Sequence, residues 1–145
     1  VTDLTNNKIS AKIVLHKKTK GGLVKNIKIL RFFITRDGFK RQEDLIRGYL
    51  LDHHLEIHKI SVVQLREGQL SLNIYATELN RDEKKRLLSL RIFKVVEEQI
   101  LSPDFDPSKD EVAKFINEHD VDILKTIEAP IAPGEFLAFI FFYPR

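Results

Sequence analysis

The stretch NRDEKKRLLSLRIFKVVEEQIL, residues 80–101, decides the fold of this chain. Leu87, Leu88, Ile92, Val95, Val96 and Ile100 recur at the three- and four-residue spacing that gathers side chains on one face of an α-helix. Asn80, with Glu83 three residues on, fits an N-cap answered by an acid, Asn standing in for the usual Ser or Thr. Pro103 lies just beyond, where a helix has already stopped. The spacing predicts a long helix from Asn80 to Leu101.

On the N-terminal side of this stretch stands the clearest hairpin. Residues 55–64 alternate, with Leu55, Ile57, Lys59 and Ser61 on one parity and His58, Ile60, Val62 and Gln64 on the other. Arg66-Glu67-Gly68-Gln69 supplies a turn, and Leu70, Leu72, Ile74 and Ala76 alternate with Ser71, Asn73, Tyr75 and Thr77. Leu45, Ile46, Tyr49 and Leu50 fall at helical spacing and predict a helix over 40–54, with Gly48 weakening its middle and Asp37 or a nearby residue placed to cap it. Val24 to Thr35 reads as a strand whose centre, Ile29 to Ile34, is apolar enough for a central position. Lys8 to Leu15 alternates as a half-buried strand, joined to it by a Lys17 to Gly22 loop with a Gly-Gly pair. Residues 1–7 are polar and expected to be frayed and flexible.

On the C-terminal side, Ser102 to Lys109 carries two prolines and reads as a loop. Asp110 to Glu118 predicts a short helix packed through Val112, Phe115 and Ile116. Val121 to Ile127 fits either helix or strand, and Pro130 to Gly134 reads as a rigid turn. Phe136 to Tyr143 is apolar on both parities, the pattern of a buried strand.

From Val24 onward the predicted order is β-α-β-β-α-(insert)-β, which resembles the split βαββαβ order of ferredoxin-like domains. The expectation is an α+β domain over residues 8–145, with an antiparallel or mixed sheet of about five strands packed by two main helices. Lys8 to Leu15 would be an extra N-terminal strand and Asp110 to Glu118 a short inserted helix.

A chain of 145 residues can bury a core without disulfides or structural metal. Its 43% hydrophobic and 31% charged content is that of a globular protein rather than a disordered one. The absence of cysteine removes disulfide frameworks, thiolate metal sites and thiol nucleophiles. The compartment stays open on this composition, with a cytoplasmic one expected. No apolar run approaches the roughly 20 residues that span a bilayer as a helix. Methionine is absent, so Val1 is not a translation start and a domain excised from a larger protein is expected.

Charge is distributed unevenly. Residues 1–47 carry 12 Lys or Arg against 4 acids, and the remainder is net acidic by about 5, within a net charge of +3. Lys12, Lys17, Lys18, Lys20, Lys25, Lys28, Arg31, Lys40 and Arg41 form the candidate binding patch, able to attract a nucleic acid or an acidic protein.

Catalytic and metal chemistry find little support. His54 and His58 on one strand parity would lie about 13 Å apart, too far to share an ion. Asp104-Phe105-Asp106 opens like a calcium loop but lacks the later acids, the central Gly and the closing Glu. No Gly-x-Ser-x-Gly and no Walker loop occurs. Ala138-Phe139-Ile140-Phe141-Phe142 resembles the aromatic core of the RNA-recognition-motif signature, a family that stacks bases on such residues. Leu137 stands where that signature has an aromatic, and the basic-Gly opening is missing, so the segment reads as a core strand.

No catalytic residue, metal site or cofactor is therefore expected. The function expected is a non-catalytic interaction, regulatory or assembly module that meets a protein partner, or itself, through a sheet edge. The alternatives are a sequence-tolerant nucleic-acid-binding domain using the basic N-terminal hairpin, and an enzyme with dispersed catalytic residues.

Overall fold

The computed structural model describes residues 9–18, 24–79 and 86–145, the backbone alone for 9–18 and 24–26. Residues 1–7, Lys20 with most of its loop, and the Asn80 and Glu83 cap lie outside the described residues.

Among the described residues, seven strands form two antiparallel sheets in an α+β arrangement. The first sheet holds β1 (Ile9–Lys18), β2 (Val24–Thr35), β3 (Leu55–Arg66) and β4 (Gln69–Glu78), in the order β1-β2-β4-β3. Its register follows from alternation. Leu30, Phe32 and Ile34 of β2 lie opposite Ile74, Leu72 and Leu70 of β4, all on the buried face. The second sheet holds β5 (Ser89–Val96), β6 (Val121–Ala132) and β7 (Glu135–Pro144), in the order β5-β7-β6. Among the described residues three α-helices accompany them: α1 (Phe39–Asp52), α2 (Glu97–Leu101) and α3 (Glu111–Glu118), with a 3-10 turn at Pro107–Lys109 before α3.

The long helix predicted over residues 80–101 is not formed. Ser89–Val96 is strand β5, and only Glu97–Leu101 is helical. The βαββαβ order and the five-stranded sheet with two main helices give way with it, because after β4 the chain enters a strand of a second sheet. The physical reason is burial on both faces. Leu90 and Ile92 are fully buried between the sheets, while Phe93 packs on the opposite side against Phe115 of α3. A strand buried twice loses its alternation, and its apolar residues then also satisfy a helical spacing. The β-branched and aromatic run Ile92-Phe93-Lys94-Val95-Val96 suits a pleated surface better than a helix.

The two sheets pack face to face. Leu30, Phe32, Leu70, Leu72 and Ile74 meet Leu90, Ile92, Leu137, Phe139 and Phe141 in one cluster, with Ile46 and Leu50 of α1 closing it along β2 and β5. A second cluster of Phe93, Ala138, Ile140 and Phe142 lies under Phe115 of α3. β7 is thus covered on both sides, and each fully buried Phe contributes about 1.5–3 kcal/mol.

Turns and caps follow from local chemistry. Gly68 takes φ 83° in the β3–β4 turn, and Gly134 takes φ 72° after Pro133 in the β6–β7 turn. Of Asp37 and its neighbours, it is the next residue that caps α1, and without a side-chain hydrogen bond. The N-cap is Gly38, and Gln42 reaches back so that its amide oxygen accepts from Thr35 N at 2.8 Å. Val121–Ile127 resolves as strand, and β6 continues through Pro130 to Ala132, leaving the turn at Pro133 and Gly134. Pro130 is tolerated because β6 is an edge strand.

Candidate interaction surface

Two open sheets have four edge strands, here β1, β3, β5 and β6. Each carries backbone N–H and C=O groups on its outer side, and how each is satisfied decides where another chain could add.

The β5 edge is closed by α1. The Glu43 carboxylate accepts from the backbone N–H of Ile92, and the Lys40 ammonium donates to the Ile92 carbonyl at 2.7 Å. Two side chains of one helix turn thereby occupy the positions a neighbouring strand would fill. Arg47 donates to Glu43 at 2.7 Å and Lys40 stands 3.5 Å from it, so the buried carboxylate, 4% exposed, is matched by cations. Lys40 also lies 4.9 Å from the Phe93 ring centre. Its signal in the sequence was an acid, Glu43, on the same helix face as Ile46 and Leu50.

The β3 and β6 edges face one another. Lys125 of β6 donates to the carbonyl of Ile60 in β3 at 3.1 Å, and the Gly68 N–H donates to the Ile131 carbonyl at 2.6 Å. At the same end of the molecule Arg36 and Lys94 both bind Glu135. The Lys94 hydrogen bond first, and Arg36 second, hold the Glu135 carboxyl below its ordinary range.

The β1 edge has no such closure among the described residues. β1 is bonded to β2 on one side and ends the sheet on the other. The β1–β2 pairing also outruns the sheet. Cα partners continue to Lys17↔Lys25 and Lys18↔Val24, whereas β2 meets β4 only from Lys28 onward. Leu15–Lys18 with Val24–Ile27 therefore forms a two-stranded extension of about 13 Å. Neither β1 nor β2 contains an acidic residue. Lys17 and Lys25 are Cα partners in this register.

The basic positions expected to act together are divided by the fold. Lys12, Lys17 and Lys18 fall on β1, Lys25 beside them on β2, and Lys20 outside the described residues. Lys28 pairs with Glu78. Arg31 donates to Asn73 at 2.9 Å on the outer face of the first sheet, where Asn73 and Ser71 are buried and Phe33 and Val63 are exposed. Lys40 belongs to the β5 closure, and Arg41 lies exposed on α1.

The other sequence features have structural roles. The Asp106 carboxylate accepts from Ser108 N and Oγ, which lowers its pKa, and Asp110 accepts from Val112 N and Ala113 N to cap α3. These acids rim a cleft of about 380 Å³ floored by Phe93, Val95 and Val112. His53 ends α1, stacked 3.8 Å from the Tyr49 ring with Nδ1 2.9 Å from the Tyr49 carbonyl. His119 repeats the device after α3 on Phe115. His58 contacts Thr77 Oγ1. Among the described residues no group of three His, Asp or Glu side chains could hold a metal ion. Phe139 and Phe141 are fully buried and face no solvent on which a base could stack. Among those residues, too, no helix is long and apolar enough to cross a membrane.

The class that the fold defines is an α+β domain of two antiparallel sheets. No family model matches the chain, and no curated protein or solved structure matches it.

Proposed function

We propose that this chain is a protein-interaction module that takes up an extended segment of a partner as an additional strand beside β1. One observation carries the reading: α1 side chains occupy the β5 edge at Ile92, Lys125 of β6 bonds to the β3 edge at Ile60, and the β1 edge is left with no closure among the described residues. Strand addition uses such an edge, with main-chain hydrogen bonds supplying affinity and alternate side chains supplying selectivity. A native edge left open and unprotected is an aggregation hazard, and Lys12, Lys17 and Lys18 provide the charge that keeps unspecific strands away.

The test is selection of ten-residue peptides from a random displayed library against the whole chain, followed by hydrogen exchange of the complex. Bound peptides are expected to slow exchange of amides within Ile9–Lys18 and to leave β3, β5 and β6 unchanged. Peptides that protect only other elements, or a selection that yields no binder, would overturn the proposal.

A further inference from the structure

We infer that the cleft between β5 and the α2–α3 segment is a binding site for a linear aliphatic polyamine, a chain of methylenes interrupted by ammonium groups. The site lies apart from the β1 edge and does not depend on strand addition there. Its floor is Phe93 and Val95 of β5 with Val112 of α3, and Ile100 of α2, 43% exposed, flanks it. Phe93 belongs to the second core cluster, and Val95 and Val112 pack against that cluster, so the floor is fixed before a ligand arrives. A cleft of about 380 Å³ has the size that takes a small molecule.

Charge sets the sign of the occupant. Asp104, Asp106, Asp110 and Glu111 line the cleft together with Lys94 and Lys109. Lys94 is matched by Glu135, which leaves four carboxylates against one ammonium, a surplus of three negative charges. The N–H groups at the start of α3 do not reverse this, because Asp110 Oδ1 accepts from Val112 N at 2.9 Å and from Ala113 N at 3.2 Å. Asp106 likewise commits Oδ1 to Ser108 N and Oγ. Both carboxylates are thereby held in place by one oxygen, with Oδ2 left to meet a ligand. A bare metal ion does not fit the arrangement, since among the described residues no group of three His, Asp or Glu side chains could hold one. The acids are spread around apolar surface instead. An occupant with separated charges and a carbon chain between them answers both features: its methylenes lie on Phe93, Val95 and Val112 while its ammonium groups reach the rim.

The experiment titrates the whole chain with spermidine, and with hexaamminecobalt(III), which has the same charge and no carbon, and follows amide chemical shifts. Spermidine is expected to shift amides of residues 93–96 and 104–112, and to bind less tightly as salt rises. Asp104→Asn with Glu111→Gln is expected to weaken it about three- to tenfold, two exposed charge pairs being lost. Lys109→Ala is expected to tighten it about two- to fivefold, a gain that misfolding cannot imitate. Hexaamminecobalt(III) is expected to bind about tenfold more weakly, because it brings no methylenes to the floor. Equal or tighter binding of that ion would reduce the site to a counter-ion cloud and overturn the inference. Shifts confined to other residues, no shift at about 1 mM spermidine in low salt, or one affinity for all the variants would do the same. Tighter binding of a lysine-rich peptide at the same amides would overturn the small-molecule occupant in favour of a protein partner.

Discussion

Replacing Glu43 by alanine is expected to unlatch α1 from β5. The carboxylate is buried, accepts from the Ile92 N–H and from Arg47, and stands beside Lys40. Alanine leaves the Ile92 N–H without its acceptor at a position closed to water. A hydrogen bond to a charged group contributes about 1.5–3 kcal/mol, and an orphaned buried donor costs about the same again. Arg47 keeps Asp44 at 2.9 Å, which limits the further loss. The expected cost is about 3 kcal/mol, or roughly 6–12 °C in melting temperature for a chain of this size. Glu43→Gln keeps one acceptor but turns an amide N–H₂ toward either Arg47 or Ile92, so about half that cost is expected. Urea titration gives the free energy, and hydrogen exchange of the Ile92 amide gives the local opening. An alanine variant within about 0.5 kcal/mol of the wild type, with Ile92 equally protected, would refute the clamp.

Two further perturbations test the frame around the site. Gly68→Ala forces a Cβ onto φ 83° with nothing within 4 Å to collide with, so the expected loss of about 1–2 kcal/mol comes from the backbone alone; an unchanged melting temperature would show that the turn does not need that conformation. Glu135 has a lowered folded-state pKa, so its contribution is present above the ordinary value of 4.5 and is lost as pH falls through the folded value. Glu135→Gln removes that dependence, and urea midpoints measured from about pH 7 to about pH 3 should converge with the wild type in acid; curves that stay parallel would contradict it.

Much of the first sheet was legible. The alternation of residues 55–64 and 70–77 gives β3 and β4, and the Glu67–Gly68 turn lies where a two-residue connection with positive φ must. β1 reads as a strand because one parity is apolar, and β2 because its centre, Ile29 to Ile34, is nearly continuously apolar. The second sheet was not legible in the same way. Phe136 to Tyr143 announces a buried strand by its apolar run, but β5 carries the same double burial in a shorter segment, and Leu87 to Ile100 also fits a helix. β6 hides for the opposite reason: Ile123 and Leu124 are both exposed, so its middle lacks an alternating pattern. Of the candidate surface, the basic residues were visible and their division was not. Lys40 joins the β5 edge only because α1 lies beside β5, a neighbour relation that no local pattern encodes.

The place of β7 has a consequence for how the chain is made. β5 and β6 do not bond to each other; each is held by β7, which follows both in sequence. The Ser89↔Phe142 pairing spans more than fifty residues, and the core-facing Leu137, Phe139 and Phe141 arrive last of all. At about 5–20 residues per second, a ribosome leaves β5 waiting for several seconds with Leu90, Ile92 and Phe93 uncovered. The first sheet is complete before then, with its buried face open to the solvent. A nascent chain of this design therefore meets its greatest exposure to chaperones and to misassociation in that interval, and slow translation between β5 and β7 lengthens it.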